Sequence, residues 1–69
     1  MNMIDYQFTD SIRDIVKKVV VPVRKISYYY SESALEITFD RFRILFDVPT
    51  NWKSEQVDDT IAFLRQVLA

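Results

Sequence analysis

The sequence predicts an α+β domain in which a three-stranded antiparallel meander over residues 25–48 carries an N-terminal and a C-terminal helix on one face. Two observations lead there. Three consecutive short segments alternate apolar and polar residues with period two, and the segments on either side place apolar residues at helical spacing.

In the first strand Ile26, Tyr28 and Tyr30 alternate with Lys25, Ser27, Tyr29 and Ser31. In the second, Leu35, Ile37 and Phe39 alternate with Glu36, Thr38 and Asp40, and in the third Phe42, Ile44, Phe46 and Val48 alternate with Arg43, Leu45 and Asp47. Two-residue turns at Glu32-Ser33 and Asp40-Arg41 set Tyr30 opposite Leu35, Tyr28 opposite Ile37 and Ile26 opposite Phe39. The second hairpin then sets Phe39 opposite Phe42, Ile37 opposite Ile44 and Leu35 opposite Phe46. Every pair is apolar, and a slip of one residue would turn a whole strand over, so both hairpins favour one register. The other face aligns Tyr29, Glu36 and Leu45 in one row and Ser27, Thr38 and Arg43 in the next. With no Gly in the chain, turns must use Asp, Asn or Ser in left-handed conformations, or longer type I loops.

Before the meander, Thr9-Asp10-Ser11 is a cluster of good N-caps, and Ile12, Ile15, Val16, Val19 and Val23 follow at helical spacing. A helix over about residues 10–20 follows, ended by Pro22, which disfavours the α conformation at Val21. The β-branched run Val19-Val20-Val21 is its weakest stretch. At residues 4–8, Ile4, Tyr6 and Phe8 alternate with Asp5 and Gln7, the period of a short strand. The spacing of Ile4 and Phe8 equally suits a backward extension of the helix, and both readings stand. After the meander Pro49 stops the third strand, Ser54 is the expected N-cap, and a helix covers about residues 54–68. Val57, Ile61, Leu64 and Leu68 form its core stripe, with Phe63 and Val67 as a second apolar ridge that the first helix or a partner must cover.

At 69 residues there is room for one domain, 1–69, with a thin core that buries roughly 60% of the unfolded chain's surface. Disulfides and zinc sites, which often reinforce such domains, need Cys or His, and the chain has neither. Oligomerisation or very good packing is left, and with both sheet edges open a homodimer is expected. The same missing residue types remove thiol and imidazole chemistry, and the lack of Gly removes the phosphate loop and the dinucleotide fingerprint. The carboxylates Glu36 and Asp47 read as solvated strand positions, and Asp58 and Asp59 as a charged helix start. No catalytic residue, cofactor or metal site is therefore expected, and the chain is not expected to be an enzyme. No apolar run approaches the ~18 residues of a membrane span, and Met1-Asn2-Met3-Ile4-Asp5 lacks the layout of a signal peptide, so a cytoplasmic protein without membrane contact is expected.

For function the outer face of the meander carries the best signal. Tyr29 and Leu45 beside Arg43 on a face that should be wet is the residue mix of an interaction surface. Trp52, in a loop, and the ridge of Phe63 and Val67 extend the list of partner-binding candidates. The leading expectation is a non-enzymatic protein-binding module with another protein as partner. A narrower form, an accessory or inhibitor protein of a phage or other mobile element that binds a host protein, rests on small size and missing catalytic residue types alone.

The alternative is nucleic-acid binding through Arg13, Lys17, Arg24 and Lys25. Residues 11–25 hold five basic side chains against Asp14 alone, although the whole chain carries a net charge of −1 and Asp14 is placed to pair with Lys18. Tyr28-Tyr29-Tyr30 would offer stacking surfaces, but alternation turns Tyr28 and Tyr30 toward the core. The order helix, three strands, helix is similar to that of the double-stranded-RNA-binding domain, whose phosphate contacts come from a Lys-rich start to its second helix and a loop holding Gly, Pro and His. Here Ser54-Glu55-Gln56 stands at that helix start, with Glu32-Ser33 and Asp40-Arg41 in the loops. The resemblance covers the order of elements and carries no residue over, and an acidic helix start repels phosphate.

Overall fold

The computed structural model describes residues 3–68. Its elements run α1 (Tyr6–Val16), β1 (Lys25–Tyr29), β2 (Ala34–Thr38), β3 (Arg43–Asp47) and α2 (Ser54–Val67). The strands form one antiparallel sheet in the order β1-β2-β3. Both helices contribute to the core on its inner face, where Ile12 and Val16 of α1 and Leu64 of α2 pack with Ile26, Leu35, Ile37, Phe39 and Val48. The α+β fold is the one the sequence predicts. No helix among the described residues is long and apolar enough to cross a membrane.

Helix α1 lies about four residues earlier than its predicted span. Asp5, not the Thr9-Asp10-Ser11 cluster, is the N-cap, its carboxylate accepting from the Phe8 N–H at 3.0 Å. No strand forms at 4–8, because Tyr6 to Phe8 are the first turn of the helix. Starting there brings Tyr6 against Phe63 and Phe8 against Trp52, edge-to-face at 5.4 and 5.0 Å, although Tyr6 stays half exposed. The displaced cap residues bond backward instead, the Thr9 hydroxyl donating to Tyr6 C=O and that of Ser11 to Phe8 C=O. At the other end Lys18 and Val19 bond to the carbonyls of Ile15 and Val16, a tightened last turn, and the valine run leaves the helix where its stiff side chains become costly.

The second hairpin holds the predicted register, with Ile37 opposite Ile44 and Leu35 opposite Phe46. Phe39 and Phe42 close it, the Phe39 N–H donating to Phe42 C=O at 2.8 Å and the rings stacking. The first hairpin is shifted by two residues: Tyr28 faces Leu35 and Ile26 faces Ile37. A two-residue primed turn at Glu32-Ser33 would ask for left-handed backbone without any Gly, at about 1–2 kcal/mol for each non-Gly residue so placed. The four-residue loop Tyr30–Ser33 concentrates that demand on Ser33 alone, at φ 48°. Because the shift is even, every strand side chain keeps its predicted face. Tyr30 is the casualty, lying in the loop and exposed instead of joining the core, with its ring edge-to-face on Tyr28.

Helix α2 matches its predicted span to within a residue, but Lys53 is the N-cap and no side chain caps it. Val57 and Leu64 are buried as predicted, together with Thr60, a polar residue in the middle of the stripe. Arg65 reaches from α2 to the open edge of the sheet's first strand, donating to Ile26 C=O at 3.3 Å.

Candidate functional site

On the outer face, which neither helix covers, the register forms three cross-strand rows: Tyr29, Ala34 and Asp47; Ser27, Glu36 and Leu45; Lys25, Thr38 and Arg43. Glu36 sits at the centre and, contrary to its reading as a solvated position, is only 6% exposed. Tyr29 lies diagonally across from it, within reach of a long side chain, and its O–H donates to Glu36 Oε1 at 2.6 Å. Thr38, two residues along the same strand and therefore on the same face, donates its hydroxyl to Oε2, also at 2.6 Å. Arg43 stands 3.5 Å from Oε1 and adds the compensating charge. Asp47, the other carboxylate of that pair, remains exposed.

These contacts fix the protonation state. The hydroxyls of Thr38 and Tyr29 stabilise the carboxylate, with a smaller contribution from Arg43, and together they outweigh desolvation, so Glu36 is held below the ordinary carboxylate range. The same bond makes the Tyr29 hydroxyl harder to ionise. Glu36 is thus an anchored anion at neutral pH, unsuited to supplying a proton. Around it Tyr29 and Leu45 keep 41% and 54% of their surface exposed, and with Ala34 and Asp47 they border a shallow depression of about 350 Å³.

A pH dependence follows. The folded state holds the Glu36 proton more weakly than the unfolded chain, whose carboxylate titrates near pH ~4.3, so this stabilisation is complete above that value and is lost as pH falls through the lower folded pKa. The urea midpoint of the wild type should fall between about pH 5 and pH 3 more steeply than that of Glu36→Gln. Asp40, likewise lowered by its bond to Arg24, leaves both proteins some acid sensitivity. Parallel acid profiles would show that the Glu36 network contributes nothing.

Of the six partner-binding candidates, the structure brings together Tyr29, Arg43 and Leu45. Trp52 is half-buried against Phe8, Phe63 meets Tyr6, and Val67 packs on the core, so these three lie with the helices and apart from the outer face. Glu36 and Thr38 were missed as site residues; the signal available was an acidic residue in mid-strand, flanked on its own face by Thr and opposed by Leu.

The basic candidates are mostly engaged within the chain. Arg13 pairs with Asp10 at 3.8 Å and Lys17 with Asp14 at 3.3 Å; the early end of α1 leaves Lys18 outside the helix, so Asp14 takes Lys17 instead of Lys18. Arg24 binds both oxygens of Asp40, at 2.6 and 3.0 Å, and that bond raises its own pKa further. Lys25 is exposed at the start of β1. Among the described residues no cluster of three or more carboxylates, Cys or His is arranged to hold a metal ion. No protein family matches the chain, and comparison with curated proteins and with solved structures gives no match.

Proposed function

We propose that the chain is a non-enzymatic protein-binding module whose contact surface is the outer sheet face around Glu36. The observation that carries this reading is a carboxylate buried and fully hydrogen-bonded on a face that no helix covers. Sheet formation does not require it, whereas a recognition surface gains from it. Tyr29, Thr38 and Arg43 hold the charge in place before any partner arrives, so less ordering is left to oppose binding, and Tyr29 and Leu45 supply the apolar contact. The neutralisation of Arg13, Lys17 and Arg24 by carboxylates weighs against nucleic acid as the ligand.

Two further parts belong to this reading. The protein acts as a homodimer in the cytoplasm, supported by a thin core and open sheet edges. An accessory or inhibitory role in a phage or mobile element draws only on the small size and on the absence of Cys and His.

The test uses tagged wild type and the double variant Tyr29→Ala/Leu45→Ala as baits in extract of the host. The proteins retained by the wild type should be lost from the variant while its circular dichroism spectrum is kept. Retention of every partner by a folded double variant would remove the outer face as the site.

A further inference from the structure

We infer that β3 is the dimer interface, pairing antiparallel with β3 of a second copy about a two-fold axis at Leu45, so that two sheets join into one of six strands. This deepens the dimer half of the proposed function and rests on it.

The two edges of the sheet differ. At β1 the Arg65 guanidinium occupies the Ile26 carbonyl, and α2 packs closest to this strand. Among the described residues no side chain bonds to the open edge of β3 in this way. The Phe39 N–H donates to Phe42 C=O and the Val48 N–H to Ser33 C=O, which, with Ile37 opposite Ile44, directs the backbone groups of the even-numbered residues of β3 toward β2. Arg43, Leu45 and Asp47 therefore aim their N–H and C=O groups away from the sheet, as an unpaired template in a strand without Pro or Gly.

The order of side chains along β3 then selects a second copy as the occupant. Arg43, Leu45 and Asp47 share the outer face and are symmetric in spacing about Leu45 but opposite in charge at the two ends. An antiparallel two-fold pairing centred on Leu45 puts Arg43 opposite Asp47 of the second copy, Leu45 opposite Leu45, and Asp47 opposite Arg43. All three are narrow pairs, in which the two residues exchange both backbone hydrogen bonds. On the inner face Ile44 falls opposite Phe46 of the second copy, so both partly buried side chains extend the core across the junction. A parallel pairing in register would oppose like charges directly, and an antiparallel shift by two residues would break both Arg43–Asp47 pairs and set one of the two charged residues opposite Leu45.

The test is association measured by sedimentation equilibrium from about 10 µM to about 1 mM, the range over which weak, small-area contacts populate. Wild type should dimerise. Arg43→Asp alone and Asp47→Arg alone should each weaken self-association at least about tenfold, because each homodimer then carries two like-charge pairs. Mixed one to one, the two variants should dimerise again, since both opposed pairs in the mixed dimer carry opposite charges. As a measurement on unmodified protein, the amide protons of Arg43, Leu45 and Asp47 should exchange quickly when dilute and become protected on concentration. A wild type that stays monomeric with those amides unprotected overturns this inference and the dimer reading together. A dimer indifferent to both reversals, with the same amides still exchanging freely, overturns the β3 geometry alone.

Discussion

Replacing Ile37 by Ala should leave most of the protein unfolded at 25 °C. Ile37 is fully buried on the central strand, opposite Ile26 on one side and Ile44 on the other, beneath both helices. Truncation of such a side chain costs about 2–5 kcal/mol, and a domain of this size without disulfides or a metal holds a net stability of only about 3–5 kcal/mol. The two magnitudes are comparable, so the variant should show little or no folded baseline in a urea titration followed by far-ultraviolet circular dichroism. Val20, 98% exposed in the connection after α1, is the control: Val20→Ala should lie within about 0.5 kcal/mol of wild type. An Ile37→Ala protein with a near-normal midpoint would mean that the core relaxes around the cavity or rests on other residues.

The second large effect runs the other way. Thr60 on α2 and Thr9 on α1 are both fully buried, but their hydroxyls differ in circumstance. Thr9 donates to Tyr6 C=O at 3.2 Å, whereas Thr60 Oγ1 has no hydrogen-bond partner among the described residues. A buried hydroxyl left unpaired costs about 1–3 kcal/mol relative to a paired one, and Val has the same shape without the oxygen. Thr60→Val should therefore stabilise by about 1–2 kcal/mol, equivalent to a rise in Tm of about 4–8 °C per kcal/mol for a chain of this length. Thr9→Val, which removes a satisfied group, should be neutral or slightly destabilising. Calorimetry on the two variants decides it, and equal shifts of the same sign would mean that Thr60 finds a partner after all.

The sequence conveys the faces of this protein better than its boundaries. Period-two alternation placed every strand side chain from Ile26 to Tyr29 and from Leu35 to Asp47 on the correct side, and that assignment survives the two-residue shift of the first hairpin because the shift is even. What escaped was the turn. The advantage of a loop with one left-handed Ser over a tighter one depends on backbone energies that the apolar pattern does not encode. The start of α1 escaped for a related reason: four adjacent or near-adjacent side chains, Asp5, Thr9, Asp10 and Ser11, are all competent caps, and contacts of Tyr6 and Phe8 with Phe63 and Trp52, more than forty residues away, decide among them. The burial of Glu36 was hidden for the same kind of reason. It depends on a diagonal reach from Tyr29 that exists only once the strands are in their true register.

The contacts that join the two ends of the chain bear on the order in which the protein acquires its structure. The Met3 N–H donates to Asp59 Oδ2 across a separation of 56 residues, and Tyr6 meets Phe63 nearby. Closing so long a loop in a random chain is entropically expensive, whereas the two hairpins each close over a few residues. Once β1, β2 and β3 have paired, residues 25–47 are already gathered into one sheet, and the loop that remains between the helices is smaller than the sequence separation suggests. Contact separation therefore leads us to expect the meander to form before α1 meets α2, so that Tyr6→Ala should speed unfolding and leave the refolding rate in stopped-flow nearly unchanged.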